Sequence, residues 1–251
     1  MNANTRLLPT EQQVFPSWAA GEQDTINAIL RRAAQQFGDK PFLDDMGETY
    51  SFSDLNRRAC QLANGLRALG VVKGHTVVTL LDNHADTALI MFAITKLGAI
   101  SVPVNTAYKG EFLRHQLADA GAAVVIAESD YAERVAAISE GVPEVTTLVY
   151  RGEQPALPAL NWHVQPWTQL YSEDTSDPEV DVLPGDLAML IYTGGTTGPS
   201  KGCMVSHNYA TNLARQMLVV TGRGPQTTTW TPLPMFHFNA VSATLLPNLM
   251  V

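Results

Sequence analysis

"HTVVTLLDNHADTALIMFAITKLGAISVPV", residues His75–Val104, carries the alternation that decides the fold. Its opening is β-branched, short and introduced by Lys73 and Gly74, which predicts a buried strand over His75–Leu81. A helix follows over Asp86–Leu97. Its apolar run, Thr87–Ile94, is closed by Thr95 and Lys96, far short of the roughly 20 apolar residues of a membrane span, so it reads as a buried helix. Ile100–Val104 returns to strand. A strand, a helix and a second strand within roughly 30 residues describe a parallel pair joined by a crossover helix.

Working outward, the same alternation continues with a helix over Glu111–Ala120 and a strand over Ala122–Ala127. Upstream, Ile26, Ile29, Leu30, Ala33 and Phe37 mark one face of a helix stopped by Gly38. Leu55, Ala59, Leu62, Leu66 and Leu69 mark another, capped by Gly70. The expected fold class is α/β, with layered parallel sheet and helices covering both sheet faces.

Between Arg151 and Asp186 five prolines break all periodicity, and Ser172–Asp186 holds six acidic residues and no basic one. That stretch predicts a solvated surface connection. The organisation expected is a first α/β subdomain over 1–170, an acidic linker over 171–186, and the start of a second subdomain over 187–251. In the last part, "DLAMLIYT" reads as a strand and "MVSHNYATNLARQMLVV" as a helix with Ser206 at its N-cap. Tyr209, Leu213, Met217 and Val220 form its apolar stripe. "TTTWTPLPMFHFNA" (Thr227–Ala240) reads as a strand running into a loop. The chain closes on "LLPNLMV" without cap, turn or polar tail, which predicts that the protein continues.

Bulk composition restricts the function. With 45% hydrophobic and 16% charged residues, the 251-residue chain has the profile of a soluble globular protein. Two cysteines, Cys60 and Cys203, cannot build a disulfide framework and lack metal-ligand spacing. Free thiols in a reducing, cytoplasmic compartment are expected. The N-terminal stretch has no signal-peptide core. A net charge of −8 without a Lys/Arg cluster argues against nucleic acid and anionic membranes as partners. Any anionic ligand must then be held locally.

The place for it is "YTGGTTGPSKG", Tyr192–Gly202, with four glycines, three threonines and a single lysine. Glycines let backbone N–H groups approach an anion closely, threonine hydroxyls add donors without charge, and a lysine follows negative charge as it shifts between oxygens. A phosphate chain suits this combination. Two familiar phosphate loops are excluded by spacing: Lys201 follows Ser200 and precedes Gly202, which breaks the Walker pattern, and Gly194, Gly195 and Gly198 do not fit G-x-G-x-x-G.

This stretch closely resembles the ATP-phosphate loop of the adenylate-forming acyl-CoA synthetases, or AMP-binding enzymes, whose usual form is roughly Y-T-S-G-T-T-G-x-P-K-G. "TYSFSDLNRRACQLANGLRALGV" (Thr49–Val71), "FAITKLGAISVPVNTAYKGEFLRHQLADAGAAVVIA" (Phe92–Ala127) and "PLPMFHFNA" (Pro232–Ala240) resemble further family blocks in the same order. The chain departs from the pattern twice: Gly194 stands where serine is commonest, and Pro199-Ser200 replaces the usual x-Pro.

The resemblance implies a reaction. In the family a carboxylate attacks the α-phosphorus of ATP to give an acyl-adenylate and pyrophosphate, and a thiol, usually that of coenzyme A, then displaces AMP. Carried over, Thr193 helps ligate Mg²⁺, while Gly194, Gly195, Thr196, Thr197, Gly198 and Lys201 hold phosphates. His237 lies near the acyl channel and the carboxylate, with Phe236 and Asn239 beside it, and Lys201 and His237 are the candidate catalytic residues. The implied substrates are ATP, coenzyme A and a medium- or long-chain fatty acid or bulkier apolar acid. No acidic residue follows the histidine, which disfavours an amino-acid substrate. Loading an acyl group onto a carrier protein and a non-catalytic nucleotide-binding scaffold are the alternatives, and a homodimer is compatible with all three. The family's adenine, ribose, hinge and C-terminal lysine elements would lie past Val251, so full turnover by these residues alone is not expected.

Overall fold

A computed structural model of the chain describes residues 24–195 and 198–251. Seven strands form its main sheet in the order β7-β6-β5-β3-β4-β8-β9. They are β3 (Thr76–Leu80), β4 (Ile100–Pro103), β5 (Val124–Glu128), β6 (Thr147–Arg151), β7 (His163–Pro166), β8 (Leu187–Gly195) and β9 (Gly198–Ser206). All neighbours run parallel except β8 and β9, which form an antiparallel hairpin. A separate two-stranded ribbon pairs β1 (Pro41–Asp45) with β2 (Glu48–Ser51).

Two cores lie on opposite sides of the main sheet because successive strand side chains alternate faces. Val77, Val124, Ile126, Met189 and Ile191 face one core, which is closed by α1 (Ile26–Phe37), α2 (Phe52–Ala68), α3 (Ala85–Lys96) and α6 (His207–Thr221). Val78, Leu80, Val125 and Ala127 face the other, closed by α4 (Gly110–Ala120) and α5 (Ser129–Ala136). The layered α/β class and the helices around Ile26, Leu55, Thr87 and Leu113 are as the periodicity predicts. In α3 every residue but Asp86 is buried, which explains an apolar run with no polar face.

Four expectations change. The segment after Arg151 is not all loop, because β7 and a short 3₁₀ turn over Trp167–Leu170 pack on the sheet edge. The acidic stretch is not merely solvated. Asn64 Nδ2 donates to the carbonyls of Asp174 and Ser176, each at 3.0 Å, Arg67 donates to Pro178 O at 2.6 Å, and Lys73 donates to Asp181 O at 2.7 Å. Donors on α2 and in the turn before β3 thus satisfy backbone carbonyls that have no strand partner.

Thr227–Ala240 forms no strand, as Pro232 and Pro234 remove donors that a ladder needs. It enters a helical run instead, α-helical at Phe238–Ala240, π-helical at Val241–Leu245 and α-helical at Leu246–Asn248. Finally, α6 buries His207, Ala210, Thr211 and Ala214, while Tyr209 is 41% and Val220 80% exposed. Small side chains let this helix sit close to its neighbours, and the bulkier stripe turns outward.

Candidate active site

The glycine-rich stretch is the far end of the β8–β9 hairpin. Tyr192 opposes Gly202, Thr193 opposes Lys201, and Gly195 opposes Gly198, with a register shift between Thr193 and Gly195. Thr196 and Thr197, the expected phosphate donors at the turn, lie outside the described residues. Because β8 runs parallel to β4, the hairpin tip projects from the carboxyl edge of the parallel strands, where open α/β sheets bind ligands.

Directly opposed residues in an antiparallel pair share a face. Thr193 and Lys201 therefore stand together, on the face that carries Ile191 toward the core of α3 and α6. Both are exposed. Lys201 makes no hydrogen bond or ion pair to another described residue, and the Thr193 hydroxyl lies 3.8 Å from Cys203 Sγ. A cation with no partner among the described residues and a hydroxyl whose one such contact is a long one to a thiol are thus presented side by side. Gly194 has open space where a Cβ would sit, so the missing serine reflects no steric bar. Gly202 is different: a Cβ there would come within 3.3 Å of the Tyr192 ring, which lies across the bare backbone.

His237 caps the last helical run, its N–H donating to Pro234 O at 2.9 Å. Its ring is exposed and tilts against Phe236 at 5.2 Å between centroids, while Asn239 is exposed beside it. Two anchors place this turn. Tyr209 on α6 stacks on Phe238 at 5.9 Å. Asn83, just after β3, donates through Nδ2 to Leu233 O at 3.0 Å and accepts from Met235 N–H at 2.7 Å. An asparagine amide can satisfy one acceptor and one donor of a proline-interrupted backbone at once. The sequence carries no signal for Asn83, since its partners are 150 and 152 residues away. The histidine turn thereby hangs from the same carboxyl edge as the hairpin, although no hydrogen bond joins the two among the described residues.

His207, also at a helix start, has a different role. It is wholly buried, and Nδ1 accepts the Ile26 N–H at 3.2 Å, tying α1 to α6. Burial drives its pKa down to about 4. Among the described residues no group of three or more His, Cys, Asp or Glu side chains could hold a metal, and no helix is long and apolar enough to cross a membrane. Both cysteines are free.

A mainly parallel sheet with helices on both faces and a glycine-rich hairpin at its carboxyl edge defines a layered α/β class of domain, whose ligands bind at that edge. More specifically, the chain belongs to the AMP-binding enzyme family, whose pattern matches residues 30–251. It is 33% identical over 204 residues to a feruloyl-CoA synthase of Amycolatopsis, covering 81% of this chain and 38% of that one. A long-chain-fatty-acid–CoA ligase of Salmonella typhimurium is 30% identical over 248 residues, covering 87% and 43%. The crystal structure of a long-chain-fatty-acid-CoA ligase from Archaeoglobus fulgidus superposes with a TM-score of 0.74 at 27% identity, over 89% of this chain and 45% of that one. The chain therefore spans about two fifths of the curated relatives it matches.

Proposed function

We propose that the protein containing this chain activates an apolar carboxylic acid with ATP and transfers the acyl group to coenzyme A. The observation that carries this reading is the opposed pair Thr193 and Lys201, both exposed at the edge of a glycine hairpin, with Lys201 unpaired among the described residues. Lys201 follows the charge on the β- and γ-phosphates as the carboxylate attacks the α-phosphorus and pyrophosphate leaves. The work is electrostatic positioning of a transferring group. Hard divalent cations take oxygen ligands, and the Thr193 hydroxyl can supply one to a magnesium ion carried by ATP, which would neutralise phosphate charge. His237 and Phe236, on an exposed turn ahead of the helical run, would border the acid.

The acid is an aryl-propenoic or a long-chain fatty acid, the two classes named among the relatives. Pyrophosphate release by the full-length protein against a panel of both, with Lys201→Ala as control, tests the proposal. Release with one class, lost in the variant, is the expected outcome. Absence of release with every acid would count against ligase activity, and release without thioester would indicate a different acceptor.

A further inference from the structure

The face of the hairpin opposite Lys201 is as heavily tied down as the Lys201 face is bare. Three ties from α4 converge there. His115 Nε2 donates to the Ser200 carbonyl at 2.8 Å. Gln116, only 1% exposed, donates through Nε2 to Ser200 Oγ at 3.0 Å. The Tyr192 hydroxyl donates to Asp119 Oδ2 at 2.7 Å, and burial followed by that hydrogen bond raises the tyrosine pKa well above its ordinary value. His115 and Asp119 are four residues apart and so lie on one helical face, aligned with both strands of the hairpin.

The need for such ties follows from composition. Glycines at 194, 195, 198 and 202 free the backbone to accept phosphate, but they also leave it loose, and a two-stranded hairpin alone is marginal in water. Charge-stabilising donors act only when held close to their working geometry. The Tyr192 ring fills the space over Gly202 and carries the tie to Asp119, so one strand is fastened through its side chain and the other through Ser200. Ser200 also accounts for the chain's second departure from the family pattern. With the proline moved one position earlier, residue 200 offers a hydroxyl that the usual proline could not, and Gln116 holds it.

We propose that His115, Gln116 and Asp119 are positioning residues of the phosphate hairpin: they fix Ser200 and Tyr192 from behind so that Lys201 projects from the opposite face at a set height. The inference rests on the ATP-dependent reading above. Its test in the full-length protein compares His115→Leu, which removes the donor, with His115→Gln, which can return an N–H near the same place. The expected result for His115→Leu is a KM for ATP raised about tenfold with the KM for the acid unchanged. Amide exchange at residues 200–202 should quicken by a similar factor, and His115→Gln should recover much of both.

Unchanged exchange and unchanged KM in His115→Leu would overturn the proposal, as would a parallel rise in KM for both substrates. If His115→Leu does not fold, Ser200→Ala and Tyr192→Phe read the two ties separately by the same pair of measurements. Should the wild-type protein release no pyrophosphate with any acid, the catalytic reading fails while the exchange measurement still decides whether α4 fastens the hairpin.

Discussion

Two lysines stand in contrasting regions of this molecule. Lys96, at the last turn of α3, has a fully buried side chain whose ammonium meets Asp177 at 2.7 Å; Arg31 approaches the same carboxylate at 3.6 Å. Burial pushes the Asp177 carboxyl up, but the hydrogen bond and charge of Lys96 outweigh it and hold the pKa below the usual range. Lys201, on β9, is exposed and uncommitted among the described residues. A buried cation must be paired, because its desolvation is costly, and so it fastens the acidic segment to the helical layer. A cation meant for a ligand has to stay solvated and available. In a chain of net charge −8, Lys201 under the function proposed here would supply the local attraction that phosphate otherwise lacks.

The contrast can be broken experimentally, and Lys201→Ala should have the largest effect. Loss of one or two charge-assisted contacts, about 1.5–3 kcal/mol each, lowers pyrophosphate release roughly ten- to a hundredfold per contact, with no change in the denaturation midpoint. Lys96→Ala should behave in the opposite sense. It leaves Asp177 with only the more distant Arg31 as a charge partner and opens a cavity, costing about 3–4 kcal/mol in chemical denaturation. Lys96→Met, which keeps the apolar stem, should cost less; the difference between the two variants measures the stem, and the cost that remains in Lys96→Met measures the charge.

A third test concerns His207. Its folded-state pKa of about 4 lies below the ordinary histidine value of about 6.5, so the unfolded chain takes up the proton first. The stabilisation is therefore complete above about pH 6.5 and is lost as pH falls toward 4, to a limit of about 3 kcal/mol. Stability curves of wild type and His207→Gln should converge across that window, and parallel curves would show that His207 does not titrate there. The smallest effect belongs to Gly194→Ser. With no described residue within 4 Å of the added Cβ, stability should move by less than about 0.5 kcal/mol, and a change in KM for ATP not shared by Gly194→Ala would report the hydroxyl.

Much of the fold is legible in one dimension, because a buried parallel strand and its crossover helix leave local marks: β-branched runs such as Val77–Val78, and apolar repeats such as Leu55, Ala59, Leu62 and Leu66. Ser206 is legible for the same reason, its hydroxyl accepting from Tyr209 N–H three residues on at 3.1 Å. The failures share a cause too. β7 pairs with β6 over an edge of only four residues, too short to show a period. The stripe through Tyr209 and Val220 has helical spacing, but spacing does not say which face the rest of the molecule covers.

At the hairpin, residue types can be read locally and arrangement cannot. Composition of Tyr192–Gly202 suggests a phosphate ligand with Lys201 as its cation, which the pyrophosphate assay of Lys201→Ala tests. Only the folded chain decides that Thr193 and Lys201 share a face, that Tyr192 and Ser200 are held by α4, and that Asn83 carries the turn before His237. The ties from α4 and from Asn83 join residues 73 to 152 positions apart through hydrogen bonds. Chemistry is a property of the side chain and survives reading in sequence. Direction and support depend on register and packing between distant segments, which no local pattern encodes.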